Sequence, residues 1–369
     1  MDNCVIPHGY KATALGIIPQ EWEVMLLGNL SNSISSGRNK HRDAHGQYPV
    51  FGSTGIIGYS STYEYEGPVI LVARVGANAG TLNFASGQYD VSDNTLIITI
   101  KQNVYDYNFA YNQLTHYKLN KLVFGSGQPL ITSKQLKNIR IPVPPLAEQR
   151  KIAEVLGVWD KAIEKQARLI EKLALRKRAL MQRLLSAKHR LPGFSEPWKK
   201  VKLGDVAELY QPQTIQSEDL SQTGYPVYGA NGLIGYYNNY NHEYPQVVIT
   251  CRGSSCGTVN FTPGKCWITG NAMVLNVDNN RDVNKSFFYY LISNSSFVNL
   301  ISGSGQPQIV RQPLLKFELR IPPLKEQTAI AEVLTAADRE IDLAKEKLER
   351  LRRQKRGLMQ QLLTGKKRI

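Results

Sequence analysis

YPVFGSTGIIGY, running from Tyr48 to Tyr59, comes back 177 residues later as YPVYGANGLIGY, from Tyr225 to Tyr236. GSGQP at Gly125–Pro129 reappears unchanged at Gly303–Pro307, and IRIPVPPLAEQRKIAEVL from Ile139 returns as LRIPPLKEQTAIAEVL from Leu319. A unit this long, present twice, is a duplicated domain with a duplicated connector rather than a short solenoid repeat. The correspondence runs to the end of the sequence, where Leu363–Ile369 (LTGKKRI) matches Leu185–Leu191 (LSAKHRL). The repeat closes on itself, so the final residues are expected near the N-terminal segment, as in a chain that tolerates circular permutation.

The two connectors read as long helices. Each begins behind a proline pair, Pro144-Pro145 or Pro322-Pro323, where a missing N–H costs nothing. Glu148 and Glu326 fall in the first turns, where the helix dipole favours an anion. Apolar residues then step by three and four through Ile152, Leu156, Trp159 and Ile163, and resume at Ile170 and Leu173. The second copy keeps the frame with Ile330, Leu334, Ile341, Leu348 and Leu351. This is a heptad seam. Forty residues of helix span about 60 Å, and such a stripe needs a cover. The other helix is the simplest one. Each helix leaves one globular part and reaches the next, so the pair is expected to run antiparallel as a spacer between two domains. The sequence divides accordingly into 1–144, a first domain with its N-terminal segment; 145–190, a first helix; 191–322, a second domain; and 323–369, a second helix and tail.

Charge sits mainly on those connectors. The net charge is +15, and residues 145–190 hold 12 basic against 5 acidic side chains, residues 323–369 12 against 7, together +12 of the total. A basic protein fits a polyanionic partner. The basic ends of the helices, Arg176 to Arg190 and Arg350 to Arg368, are expected to face DNA phosphates or acidic partner surfaces.

Composition narrows the class further. At 42% hydrophobic and 20% charged residues the chain is ordinary for a globular protein. No apolar run reaches the length of a membrane span, and MDNCVIPHGYKATALG lacks the basic and apolar regions of a secretion signal. A cytoplasmic protein without membrane attachment is expected. Cys251, Cys256 and Cys266 have the spacing of a partial zinc site with no fourth ligand at a usual offset. By repeat alignment Ala73, Ala79 and Tyr89 stand in their places in the first copy, so no metal is required, and free buried thiols are expected.

Between the connectors, VILV (Val69–Val72), LIITI (Leu96–Ile100), VVIT (Val247–Thr250) and MVLNV (Met273–Val277) are bounded by Gly and Asn and read as strands. Phe109–Val123 and Phe287–Ile301 carry aromatic and aliphatic residues at helical spacing. The fold class is α+β, present twice. The glycine-bearing pieces lack the GK[ST] of a P-loop and do not fit a dinucleotide fingerprint; tight turns are their default reading. Their alternative reading is that side chains there reach base edges or phosphates. Those side chains are Ser53, Thr54, Arg74, Asn78 and Gln128 in the first copy and Asn231, Arg252, Ser254 and Gln306 in the second. Most tyrosines, among them Tyr111, Tyr289 and Tyr290, sit on apolar helical stripes and read as core. Asp90, Asp93 and the histidines at 41, 45 and 116 have no counterparts in the second copy, and no catalytic set is shared by both.

These motifs resemble the specificity subunit of type I restriction-modification systems. The likeness is carried by GYKATALGIIPQEWEVMLLGNL (Gly9–Leu30), the paired PPLAEQRKIAEVL and PPLKEQTAIAEVL helix starts, the repeated YPV segments, and the helix ends LMQRLLS and LMQQLLT. The resemblance implies two target-recognition domains, each reading half of a split double-stranded DNA site, held apart by a coiled-coil pair. It implies no catalysis and no cofactor in this chain. Two modification subunits would bring S-adenosylmethionine and methylate adenine, and restriction subunits would join the full complex. Specificity is expected where the copies differ: RNKHR, with Arg38, Lys40 and Arg42, stands where the second copy has the polar and acidic Gln211–Asp219 (QPQTIQSED). Three rivals remain. A fused methyltransferase would need an NPPY- or DPPY-type tetrapeptide, and only PVPPL and IPPLK occur. A bare scaffold leaves the unlike loops unexplained, and a DNA-binding regulator without enzyme partners is separable only by seeking those partners.

Overall fold

The structure is a computed structural model that describes residues 6–369 other than 41, 42, 44, 126–128, 230, 231 and 304. The chain forms two compact units, one from Met1–Ala167 with Glu346–Ile369, the other from Arg168–Lys345. Each unit therefore takes a piece of both long helices.

In the first unit a four-stranded antiparallel sheet runs in the order Ser31–Ser36, Thr95–Ile100, Val69–Ala73, Leu82–Ala85. The run Val69–Ala73 is apolar throughout because both of its faces are covered. Ile70 and Val72, with Leu96 and Ile98 beside them, point to a helical layer containing Tyr105, Phe109, Leu114, Ile152 and Leu156. Val69, Leu71 and Ile97 point the other way, to Tyr89 and Val91 of a second sheet. That sheet is the hairpin Tyr48–Gly52 and Gly55–Ser60, with Val50 and Phe51 paired in parallel to Asp90 and Val91.

The second unit repeats the plan by itself: Glu208–Tyr210, Ala272–Asn276, Val247–Thr250, Val259–Phe261 in the same strand order. Val247 and Ile249 face Phe287, Phe288 and Leu291, while Val248 and Val274 face Ile268. Its hairpin, Tyr225–Gly229 and Gly232–Tyr237, has a register shift between Val227 and Tyr228, matching the shift between Val50 and Phe51 in the first. The repeated YPV segments thus encode the same bulged hairpin. The helical stretches are shorter than their spacing implied. Tyr107–Tyr117 is capped by the Asp106 side chain and ends at Lys118, whose φ of 60° leaves the helical region before a 3-10 turn. Lys285–Ser293 is capped likewise by Asn284.

The long helices are Leu146–Leu184 and Leu324–Leu362, 39 residues each. Within each unit the pieces lie antiparallel. In the first, Ile152 and Leu156 share a core with Met359, Leu362 and Leu363, and Lys355 Nζ meets Asp160 Oδ1 at 2.6 Å. In the second, Leu173 packs with Ile341 and Ala344, beside the partly buried Ile170, while Leu184 and Leu185 join Ile330 and Leu334 in the unit's main core. Ile163 and Leu351 are half-buried and Leu348 is buried.

Part of each basic helix end is taken up internally. Arg190 makes a two-pronged ion pair with the buried Glu326 at 2.5 and 2.6 Å. Arg368 does the same to the buried Glu148, at 3.1 and 2.9 Å, and reaches Glu21 at 2.7 Å. Lys177 pairs with Asp338 at 2.5 Å and Arg176 with Glu340. These side chains satisfy carboxylates of their own unit, while others of the same helix ends, among them Arg178, Arg183, Arg353 and Arg356, stand exposed. The two first-turn glutamates are more than dipole partners: each is the buried half of an Arg fork. The Arg368 contacts and the packing of Gly365 against Pro19 and Trp22 set the final residues beside the N-terminal segment, as the closed repeat implies.

Candidate nucleic-acid interface

Several turns gather at one end of the first unit's central sheet. Where the strand Ser31–Ser36 ends, Gly37 donates to the Thr95 carbonyl at 2.9 Å. A Cβ at Gly37 would run into the carbonyls of Val91 and Ser92, so only glycine permits this approach. The backbone N–H groups of Arg38 and Asn39 then both donate to the Val91 carbonyl, at 3.0 and 2.9 Å. Further on, Asp43 N–H bonds the Tyr59 carbonyl at 2.8 Å. Arg38 and Asn39 are thereby held against the parallel strand and Asp43 against the outer edge of the hairpin. Arg38 is 81% exposed, with a loose 3.8 Å approach to Glu64, and Lys40 is exposed. Arg42 lies outside the described residues.

The two glycine-bearing pieces of this unit are brought together. Gly76 N–H donates to the Pro129 carbonyl and Ile131 N–H to the Arg74 carbonyl, both at 2.9 Å, while Gly80 N–H closes the turn onto Ala73. Gly76 and Gly80 have φ of 77° and 90°, and a Cβ at Gly80 would meet the backbone of Asn120. Asn78 stands exposed in this turn. Arg74 is half-buried, its Nη1 donating to Ser36 Oγ at 3.2 Å, which ties the turn to the strand that feeds the basic stretch. Thr54 is exposed and Ser53 half-buried at the hairpin tip, next to Phe51, whose carbonyl accepts from Ser92 at 2.9 Å. Gln128 lies outside the described residues.

The second unit builds the same platform with other side chains. Gly253 N–H donates to Pro307 at 3.0 Å, Ile309 N–H to Cys251 at 2.9 Å, and Gly257 closes the turn onto Thr250. Arg252, Ser254 and Gln306 are exposed on it. The polar stretch after Tyr210 is anchored by Gln211 Nε2 on the Gly270 carbonyl at 3.0 Å, and it returns through Ser221, which pairs with Tyr236 on the outer hairpin strand. So Asp43, just past the basic stretch, and Ser221, just past the polar one, bridge equivalent residues of the outer hairpin strands, Tyr59 and Tyr236. Asn231 lies outside the described residues.

These hydrogen bonds correct the alignment of the cysteines. Cys251 takes the place of Arg74, not Ala73, since each residue's carbonyl accepts from Ile309 or Ile131 and each N–H donates to Asn271 or Asn94. Arg252 then corresponds to Val75. The two units therefore carry their turn arginine at adjacent, non-equivalent positions. Cys251, Cys256 and Cys266 are free thiols, and burial pushes the Cys251 thiol up to about 11 and raises the other two. Since the thiolate is the reactive form, Cys251 in the folded protein should alkylate roughly 100-fold more slowly at pH 7.5 than in the urea-unfolded chain. Mass-spectrometric iodoacetamide labelling measures the ratio. Among the described residues no cluster of three or more His, Cys, Asp or Glu is placed to hold a metal, and no helix is long and apolar enough to cross a membrane.

Comparison with known proteins agrees with this duplicated plan. A family model described as "Type I restriction modification DNA specificity domain" matches residues 19–174 and again 195–353. The type I restriction enzyme MjaVIII specificity subunit of Methanocaldococcus jannaschii is 24% identical over 95% of this chain and 94% of its own length. The putative MjaX specificity subunit of the same organism is 26% identical over 98% and 97%. Among solved structures, the type I restriction-modification S subunit from M. genitalium superposes with a TM-score of 0.66 at 19% identity, covering 93% of this chain and 96% of that one. A chain from work on complex assembly and conformational transition of the type I restriction-modification system gives 0.57 at 19%, over 94% and 99%.

Proposed function

The chain belongs to the type I restriction-modification specificity family, and on that premise we propose that it is the non-catalytic subunit that reads a bipartite, asymmetric double-stranded DNA site in the cytoplasm. The observation that carries this reading is one scaffold bearing two unlike edges. The same bulged hairpin and the same glycine turn hold a basic stretch in one unit and a polar, acidic one in the other. Like frames place the loops, and unlike loops read unlike half-sites. Arg38, Lys40, Arg74 and Asn78 would contact DNA from the first unit, and Arg252, Ser254 and Gln306 from the second. Two modification subunits, carrying S-adenosylmethionine, would supply adenine methylation, and restriction subunits would complete the assembly. This chain contributes position and sequence choice.

Selection from random duplexes, with the modification subunits present, tests the reading. Two enriched blocks separated by a fixed number of unselected bases are expected, and a single block would overturn it. The helices would set that gap. Inserting one heptad in each, beside Leu173 and beside the facing Ile341, adds about 10 Å of helix. The gap is expected to widen by roughly three base pairs at about 3.4 Å each, and an unchanged gap would refute the ruler.

A further inference from the structure

We propose that Asp90 is a positioning residue that presents the first unit's basic stretch to DNA, acting through Asn39. The inference rests on reading that stretch as a DNA-contacting loop. Asp90 lies on the strand Gln88–Val91, paired in parallel with Val50, and is only 6% exposed. A carboxylate there is costly to bury unless hydrogen-bonded. One oxygen accepts from the Val91 backbone N–H at 2.9 Å, and the other accepts from the Asn39 amide. Asn39 sits between Arg38 and Lys40, so its side chain fixes the point from which both cations leave the sheet.

The backbone supplies the rest of the anchor. Arg38 and Asn39 both donate to Val91, and Asn39 bridges to Ser92. Those contacts set the chain against the sheet, and the Asn39–Asp90 bond locks the turn by a side chain. A charge-assisted hydrogen bond is about twice as strong as a neutral one.

The second unit shows what happens without the carboxylate. The residue in the equivalent parallel pairing is Trp267, opposite Val227, its ring edge-on to Tyr237 at 5.2 Å. There the corresponding stretch is held through Gln211 on Gly270 instead. Asp90 and Trp267 thus mark the position at which one frame accepts two kinds of recognition loop.

Random-duplex selection separates the outcomes. If the wild-type complex yields no two-block site, the DNA-reading proposal fails irrespective of Asp90. If it yields two blocks, the first unit's block is the one altered by exchanging residues 38–42. Asp90→Ala and Asn39→Ala are each expected to lower base preference in that block about tenfold and leave the other unchanged. Asp90→Asn keeps one oxygen to accept from Asn39 but loses the charge and turns an NH2 toward the Val91 N–H, so its loss is expected to fall between wild type and Asp90→Ala. An unchanged first block in either folded variant overturns the assignment, as does equal loss in both blocks. Unfolding of the first unit by both variants, read by amide exchange, makes the pair an element of the fold and overturns it too.

Discussion

Replacing Arg38 and Lys40 together by alanine is expected to weaken cognate DNA binding by the assembled complex about 10- to 100-fold near 0.15 M salt. Both side chains are exposed on a stretch whose backbone is pinned to the sheet, so they are held out from the surface without closing on a buried acid. The 3.8 Å approach of Arg38 to Glu64 is a surface contact worth little. A phosphate that no cation neutralises keeps its condensed counterions. The slope of log affinity against log salt should therefore become shallower by roughly 0.9 per phosphate, or about 1.8 for the pair. The matching control removes charge from Lys199 and Lys200, on a strand of the second unit paired with Glu318–Ile321. Those variants should leave the slope nearly unchanged. Equal effects from both pairs would mean that only net charge matters, and the first unit's loop would lose its assignment.

The second large effect is on stability, and it falls on one unit at a time. Leu363 comes from the end of the second long helix but is 1% exposed in the core that holds Trp22, Ile152 and Leu156. Leu363→Ala removes that packing and leaves a cavity, a change that costs about 2–5 kcal/mol. Against a typical total of about 5–15 kcal/mol, this is enough to raise opening of the unit many-fold. Native-state amide exchange should show protection falling at Ile70–Val72 while Val247–Ile249 keep theirs. Leu185→Ala, the repeat's counterpart in the second core, should do the reverse. A destabilisation within about 0.5 kcal/mol, typical of surface substitutions, would mean that the tail is not part of the first unit.

The elements whose signals are local are plain in the sequence. The repeat marks the duplication, the apolar runs mark the central strands, and the heptads mark two helices in one register. Less is visible where partners are far apart. Nothing in ARVGANAG or GSGQP announces that Gly76 and Pro129 are hydrogen-bonded, because the bond joins turns more than fifty residues apart. Glu148 and Glu326 carry a local reading at the helix N-terminus that holds, yet their larger role, gripping Arg368 and Arg190, depends on closure across the whole unit. The cysteine register slips by one because the repeat offset changes between 177 and 178, and only the ladder of backbone bonds shows where. Asp90 stands out in the sequence as a carboxylate without a counterpart, but its partner is fixed by a parallel pairing that periodicity does not encode. The compact units change over inside uninterrupted helices, where the apolar pattern has no break to mark a boundary.

The most direct measurement is a genome-wide map of adenine methylation, read by single-molecule sequencing, in cells that express this chain with the modification subunit of its own host. A two-part asymmetric motif with a fixed gap, whose one half alone changes when residues 38–42 are exchanged, is the predicted result. A stable complex that methylates without a motif, or a motif in which both halves change together, would contradict the claim that each unit reads its own half through its own loop.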